Sequence, residues 1–136
     1  SNQRCVGKGL MTTQEVDLIH QRMCRELAIS GAVVDGVYYC PHEMEPPCGC
    51  RKPAPGMLLT AAREHQIDLV ASWMIGDSDS DVIAGKSAGC KTARILEHED
   101  VGSGDADVFA QSLLDATGKI LELRTALGRR PCRQLS

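Results

Sequence analysis

From Met57 onward, stretches with helical periodicity alternate with short apolar runs, and this alternation constrains the fold more than any other feature of the chain. Residues 57–65 read as a helix, Ser72-Trp73-Met74-Ile75 as a buried strand ending at Gly76-Asp77, and residues 79–88 as a second helix. A strand at 92–96, a brief strand at 107–109 and a final helix over 111–127 complete the series, with residues 97–105 polar enough for a surface loop. Helices and short strands alternating at this spacing predict a parallel sheet covered on both faces by helices. In such sheets ligands bind at the carboxyl ends of the strands.

Upstream, Thr12-Thr13-Gln14-Glu15 carries capping-box spacing ahead of Val16, Leu18, Ile19, Met23 and Leu27, which predicts an amphipathic helix to Ser30, closed by Gly31. The β-branched and aromatic run over 33–39 predicts a strand that delivers its end to a loop containing Cys40, His42, Cys48 and Cys50. Pro53-Ala54-Pro55-Gly56 then breaks the chain.

That loop is the strongest chemical signal. Zinc favours four thiolate or imidazole ligands in a tetrahedron, and Cys-x-His, five intervening residues and Cys-x-Cys supply such a set. The intervening residues 43–47 have no apolar pattern, so a metal would stand in for a miniature core. A filled shell leaves no position for a reacting water, which points to a structural site. A loop of unmetallated thiols is the alternative. Seven cysteines is an odd number with three crowded beside a histidine, so the count argues for metal rather than disulfides. Cys5, Cys24, Cys90 and Cys132 are scattered and are assigned no chemistry.

Arg51-Lys52 follows the last ligand directly, so a fixed loop would aim a guanidinium and an ammonium as oxyanion recognition requires, although such a pair alone is usually solvated surface. Asp77, Asp79 and Asp81 lie on a turn and helix start after the strand ending at Gly76. Hard oxygen ligands there suit Mg²⁺; helix capping is the bland alternative. An EF-hand is excluded because Val82 stands where the turn glycine belongs and Ala88 where the bidentate glutamate belongs. Gly85-Lys86-Ser87 imitates the end of a P-loop, but Ser80 replaces the earlier glycine and the intervening residues are helical.

With 136 residues and 43% hydrophobic content the chain fits one domain, 1–127, followed by a basic tail, 128–136. A net charge of −3 gives no footprint for nucleic acid, although Arg124, Arg129, Arg130 and Arg133 make the end locally basic. No apolar run approaches the roughly 20 residues that span a bilayer, and the first residues lack a signal-peptide stretch. A cytoplasmic monomer without nucleic-acid or membrane partners is expected.

Ser1-Asn2-Gln3, the metal loop running into Arg51-Lys52-Pro53-Ala54-Pro55-Gly56-Met57, and Gly76-Asp77 with Asp81 together resemble the haloacid dehalogenase (HAD) phosphatases. Within them the chain resembles the zinc-loop branch, heptose 1,7-bisphosphate 7-phosphatases and histidinol-phosphate phosphatases. The resemblance implies a three-layer α/β/α Rossmann-like fold and a Mg²⁺-dependent phosphatase acting on a small phosphorylated sugar or amino alcohol. It makes Ser1 and Asn2 the phosphate-binding second motif and Lys52 the basic residue that neutralises phosphoryl oxygens. It makes Asp77 a Mg²⁺ ligand, Asp81 its support, and Arg51 a contact to the substrate away from the reacting phosphate. Cys40, His42, Cys48 and Cys50 would hold structural Zn²⁺.

One departure is expected to matter. The resemblance places an Asp-x-Asp pair on a first strand, the first aspartate attacking phosphorus and the second protonating the leaving alcohol. That strand should precede Ser1, and neither Asp77-Ser78-Asp79 nor Asp105-Ala106-Asp107 fits the role. The chain therefore reads as a C-terminal portion of a phosphatase with little turnover alone. The alternative is a zinc-stabilised remnant without chemistry.

Overall fold

The computed structural model describes residues 1–97 and 104–128. The expected basic tail beyond 128, with Cys132, and most of the expected loop over 97–105 lie outside them. The chain divides into two compact units, Ser1–Leu69 and Val70–Ser136.

In the first unit a short turn of helix, α1 (Arg4–Gly7), precedes α2 (Thr13–Ile29), and α3 (Gly56–His65) closes the unit. No residue pattern announces α1. Helix α2 starts where its capping box requires: the Glu15 N–H donates to Thr12 Oγ1 at 3.2 Å and the Thr12 N–H to Glu15 Oε2 at 2.7 Å. Such a cap contributes about 1 kcal/mol. Its other end is a Schellman turn, with the Ala32 N–H on the Leu27 carbonyl and the Gly31 N–H on that of Ala28, both at 3.0 Å. Gly31 takes the φ of +79° that this turn needs.

The expected strand over 33–39 does not form. Extended backbone becomes a strand only when a neighbour completes a ladder, and among the described residues one parallel bridge, Asn2 to Cys40, is all that the segment's end receives. The Cys40 N–H donates to the Ser1 carbonyl and the Gln3 N–H to the Cys40 carbonyl, each at 2.8 Å. Side chains fix the segment instead. The Tyr38 hydroxyl donates to Glu64 of α3 at 2.6 Å, and that of Tyr39 to Asp17 of α2 at 3.0 Å. Consecutive residues of extended chain point opposite ways, so two adjacent tyrosines can reach two different helices.

The second unit carries the anticipated parallel sheet. Strands β1 (Trp73–Gly76), β2 (Lys91–Ile95) and β3 (Val108–Ala110) lie in the order β1-β2-β3, with α4 (Asp79–Ala88) between the first two and α5 (Leu113–Gly128) after the third. Register pairs Ile75 with Ala93 and Ala93 with Val108. The two faces separate residue by residue. Ala93, Ala110, Ala116 and Ile120 form a buried cluster with Ile75 and Val108 against it, which puts α5 on that face. On the other, a methyl at Gly85 would sit 2.6 Å from Met74 Cβ and 2.8 Å from Thr92 Cγ2, so α4 lies almost in backbone contact with the sheet. This is the physical meaning of the false P-loop: Gly85 is a packing glycine inside a helix. The result is three layers, helix, parallel sheet and helix.

Strand limits differ from the expected ones by a single residue, and α4 matches. Helix α5 begins at Leu113 rather than 111 because Ser112 caps it, its hydroxyl accepting from the Asp115 N–H at 3.1 Å while Asp115 accepts from the Gln111 N–H at 3.0 Å.

Candidate functional site

The first unit gathers Cys40, His42, Cys48 and Cys50 so that their ligand atoms all lie within 4.8 Å of one another. Cys40 Sγ is 3.5 Å from Cys48 Sγ, 3.2 Å from Cys50 Sγ and 3.6 Å from His42 Nδ1. Cys50 Sγ is 3.4 Å from Cys48 Sγ and 3.3 Å from His42 Nδ1. A zinc ion about 2.3 Å from sulfur and about 2.0 Å from nitrogen would span tetrahedral edges of roughly 3.5–3.8 Å, so the set fits with slight compression.

Closeness drives the thiols of the cluster apart in acidity. Burial raises the Cys48 thiol, but contacts from the Cys50 and Cys40 thiols, the Arg51 N–H and the His42 ring outweigh it and bring Cys48 down to about 6. Burial, and then the neighbouring sulfurs Cys40 and Cys48, push Cys50 up to about 12. Sulfurs this close do not ionise together unless a positive charge joins them.

Close backbone approaches hold the loop. Cys40, fully buried, carries the bridge to Asn2. On the opposite side the Gly56 N–H donates to the Gly49 carbonyl at 3.1 Å, and a methyl at Gly56 would lie 2.1 Å from that oxygen. Gly56 was legible only as part of a chain break, whereas its role is to let the start of α3 abut the Cys48-Gly49-Cys50 turn. A methyl at Gly7 would similarly meet the Glu43 nitrogen at 2.7 Å, so α1 packs on the same loop.

Ser1, Asn2, Arg51 and Lys52 are brought together beside it. Arg51 turns back, its Nη1 donating to the His42 carbonyl at 3.1 Å. Asn2 engages Lys52 through the main chain: Nδ2 donates to the Lys52 carbonyl at 3.1 Å and Oδ1 accepts from the Lys52 N–H at 3.0 Å. The Ser1 hydroxyl accepts from Gln3 Nε2 at 3.0 Å.

In the second unit Asp77 follows the last residue of β1 and is exposed at the sheet's carboxyl edge. Asp81, only 3% exposed, lies beneath this turn: its Oδ2 accepts from the Ser78 N–H at 3.1 Å and from the Ser78 hydroxyl at 2.8 Å. A methyl on Gly76 would fall 2.3 Å from the Asp81 Cγ, so the glycine is what admits the carboxylate. Asp79 is set apart from the other two by an ion pair with Arg94. Of the two readings from sequence, capping is what Asp81 does at the start of α4, while Asp77 is exposed past the end of β1. An exposed carboxylate on a fixed turn is the kind of hard oxygen donor that Mg²⁺ takes.

A family model described as HAD-hydrolase-like matches residues 49–116. The chain is 42% identical over 90 residues to the D-glycero-β-D-manno-heptose-1,7-bisphosphate 7-phosphatase of Bordetella bronchiseptica, covering 66% of this chain and 50% of that protein. It is 35% identical over 136 residues to the enzyme of that name from Pasteurella multocida, covering 92% of this chain and 73% of that one. Its fold is similar to the crystal structure of the D,D-heptose 1,7-bisphosphate phosphatase of B. bronchiseptica complexed with magnesium and phosphate, with a TM-score of 0.80 and 32% identity over 90% of this chain and 72% of that one. The chain spans about half to three quarters of the length of these relatives.

Proposed function

Because the chain belongs to the HAD-like hydrolases, in the heptose 1,7-bisphosphate 7-phosphatase family, we propose that its residues supply the phosphate- and metal-binding parts of a Mg²⁺-dependent sugar-phosphate phosphatase. The substrate in this reading is a D-glycero-D-manno-heptose 1,7-bisphosphate, since this is what the named relatives act on. The observation that carries it is the placement of Asp77, outward at the carboxyl edge of a parallel sheet on a turn that Asp81 fixes from below.

Each residue then has a task. Lys52 neutralises the phosphoryl oxygens, and the Ser1 hydroxyl donates to one of them. Asp77 offers a carboxylate to Mg²⁺, which when bound supplies further charge compensation. Asp81 acts through the Ser78 turn that presents Asp77. Arg51 meets the part of the sugar away from the reacting phosphate, and Cys40, His42, Cys48 and Cys50 hold a structural Zn²⁺ that steadies the loop behind it.

In the proposed reaction a carboxylate oxygen of an Asp-x-Asp pair bonds to phosphorus as the sugar C–O–P bond breaks on the phosphorus side. The second aspartic acid protonates the departing oxygen, and water then releases phosphate from the aspartyl-phosphate. In this chain's own Asp-x-Asp runs Asp79 pairs with Arg94, Asp81 with Ser78, Asp105 with Lys86 and Asp107 with Thr92, and Asp77 is assigned to the metal. In this reading the 136 residues bind metal and phosphate and do not turn over unaided.

The test has two arms. Calorimetric titration of this chain with inorganic phosphate in Mg²⁺ should show binding that Asp77→Asn and Lys52→Ala each weaken at least tenfold. Phosphate release from heptose 1,7-bisphosphate and from histidinol phosphate should be undetectable with this chain. It should appear, favouring the heptose, when a strand bearing Asp-x-Asp precedes Ser1. No phosphate binding would leave a zinc-stabilised scaffold, and preference for histidinol phosphate would move the substrate to the other branch.

A further inference from the structure

The carboxamide of Asn2 is half-buried and makes two hydrogen bonds to one residue, both to its main chain: Lys52 N–H to Oδ1 at 3.0 Å, and Nδ2 to the Lys52 carbonyl at 3.1 Å. A side-chain amide is the group that can donate and accept in this way at once, imitating a backbone neighbour in a ladder. Aspartate keeps the shape but has no donor for the carbonyl, and serine does not reach both groups. The two residues are fifty positions apart, so the contact is tertiary. Asn2 is itself held on its other side by the bridge to Cys40, through the Ser1 carbonyl and the Gln3 N–H.

From this we infer that Asn2 is a positioning residue for Lys52 and acts on phosphate through it, rather than by giving its own amide to the phosphoryl group. The inference rests on the reading of Lys52 as the phosphate-neutralising cation. The clamp fixes the peptide units on both sides of the Lys52 α-carbon and therefore the direction in which its side chain leaves the backbone. A long flexible ammonium gains most from such fixing, because each rotamer removed before the anion arrives is one that binding need not remove.

The experiment is a double-mutant cycle on the full chain, read as affinity for inorganic phosphate in Mg²⁺ by titration calorimetry, with hydrogen exchange at the Lys52 amide as a ligand-free readout. In the parent that amide should be protected; Asn2→Ala should raise its exchange at least tenfold, whereas Asn2→Asp, which keeps the acceptor and loses only the donor to the Lys52 carbonyl, should leave it protected. Asn2→Ala should weaken phosphate binding about fivefold to tenfold, and Lys52→Ala more. Adding Asn2→Ala to Lys52→Ala should change the affinity by less than twofold. A double variant weakened by the product of the single effects would overturn the inference and return Asn2 to direct phosphate contact. An unprotected Lys52 amide in the parent, or Asn2 variants that bind phosphate normally, would overturn it as well. If Lys52→Ala leaves phosphate binding intact, the function assigned to Lys52 fails first and the positioning role falls with it.

Discussion

Replacing Gly56 by alanine tests how the metal loop is held. The added methyl would stand 2.1 Å from the Gly49 carbonyl oxygen, 2.8 Å from its carbon and 3.2 Å from the Cys50 α-carbon, all main-chain atoms. No rotamer change can relieve this, so the turn must retreat by roughly 1 Å to reach ordinary contact. Overpacking of this kind costs about 1–3 kcal/mol. Alanine's better helix propensity offsets at most about 1 kcal/mol, and less at the first position of α3. The expected net loss is about 1–2 kcal/mol, a fall in Tm on the order of 3–10 °C by calorimetry. Because the displaced turn separates Cys48 from Cys50, zinc affinity measured against a chromophoric chelator should also fall by on the order of tenfold. Gly49→Ala is the control, since a methyl there meets nothing within 4 Å. Equal melting and equal zinc affinity for Gly56→Ala and the parent would refute the view that this contact shapes the loop.

Three further outcomes are expected. Metal analysis should find about one zinc per chain, and Cys48→Ser should lower both zinc content and thermal stability; full retention of both would sink the structural site. Gly85→Ala should destabilise the second unit by about 1–2 kcal/mol in denaturant melts, because its methyl would meet Met74 and Thr92, with the partial offset of a better helix former. Burial works against ionisation of Asp107, but the Thr92 hydroxyl and N–H, and then the Lys86 charge, outweigh it and hold its carboxyl below the usual range. Its stabilising share should be complete above the ordinary carboxylate pKa and lost as pH falls through the lower folded value. Asp107→Asn should flatten that acid limb of the stability curve, and an unchanged limb would contradict the assignment.

What could be read in the sequence was local. The capping box of α2 and the glycine that ends it act within a few residues, and each stands where the pattern put it. The cysteine and histidine set was legible because its members fall between residues 40 and 50 with ligand spacing. The segment 33–39 was misread because β-branched residues report a readiness to pair, while pairing is decided by neighbours elsewhere in the chain. Asn2 with Lys52 and Asp79 with Arg94 escaped for the same reason: their partners are fifty and fifteen positions away. Composition marks such residues as polar, and only the folded chain shows that one holds a backbone and another is tied to an arginine.

Cys40 belongs to two structures at once, the metal set and the bridge to Asn2. This bears on how the loop can be dissected. A substitution at Cys40 removes a ligand and, by disturbing a fully buried residue, also loosens the docking of residues 1–3, so its phenotype mixes metal loss with loss of the Asn2 clamp. Cys48 and Cys50 sit beyond that bridge, and changes there report on the metal more cleanly. The difference between a Cys40 and a Cys48 variant, matched for zinc loss, is therefore a direct measure of how far order at the start of the chain depends on Cys40 itself rather than on the ion.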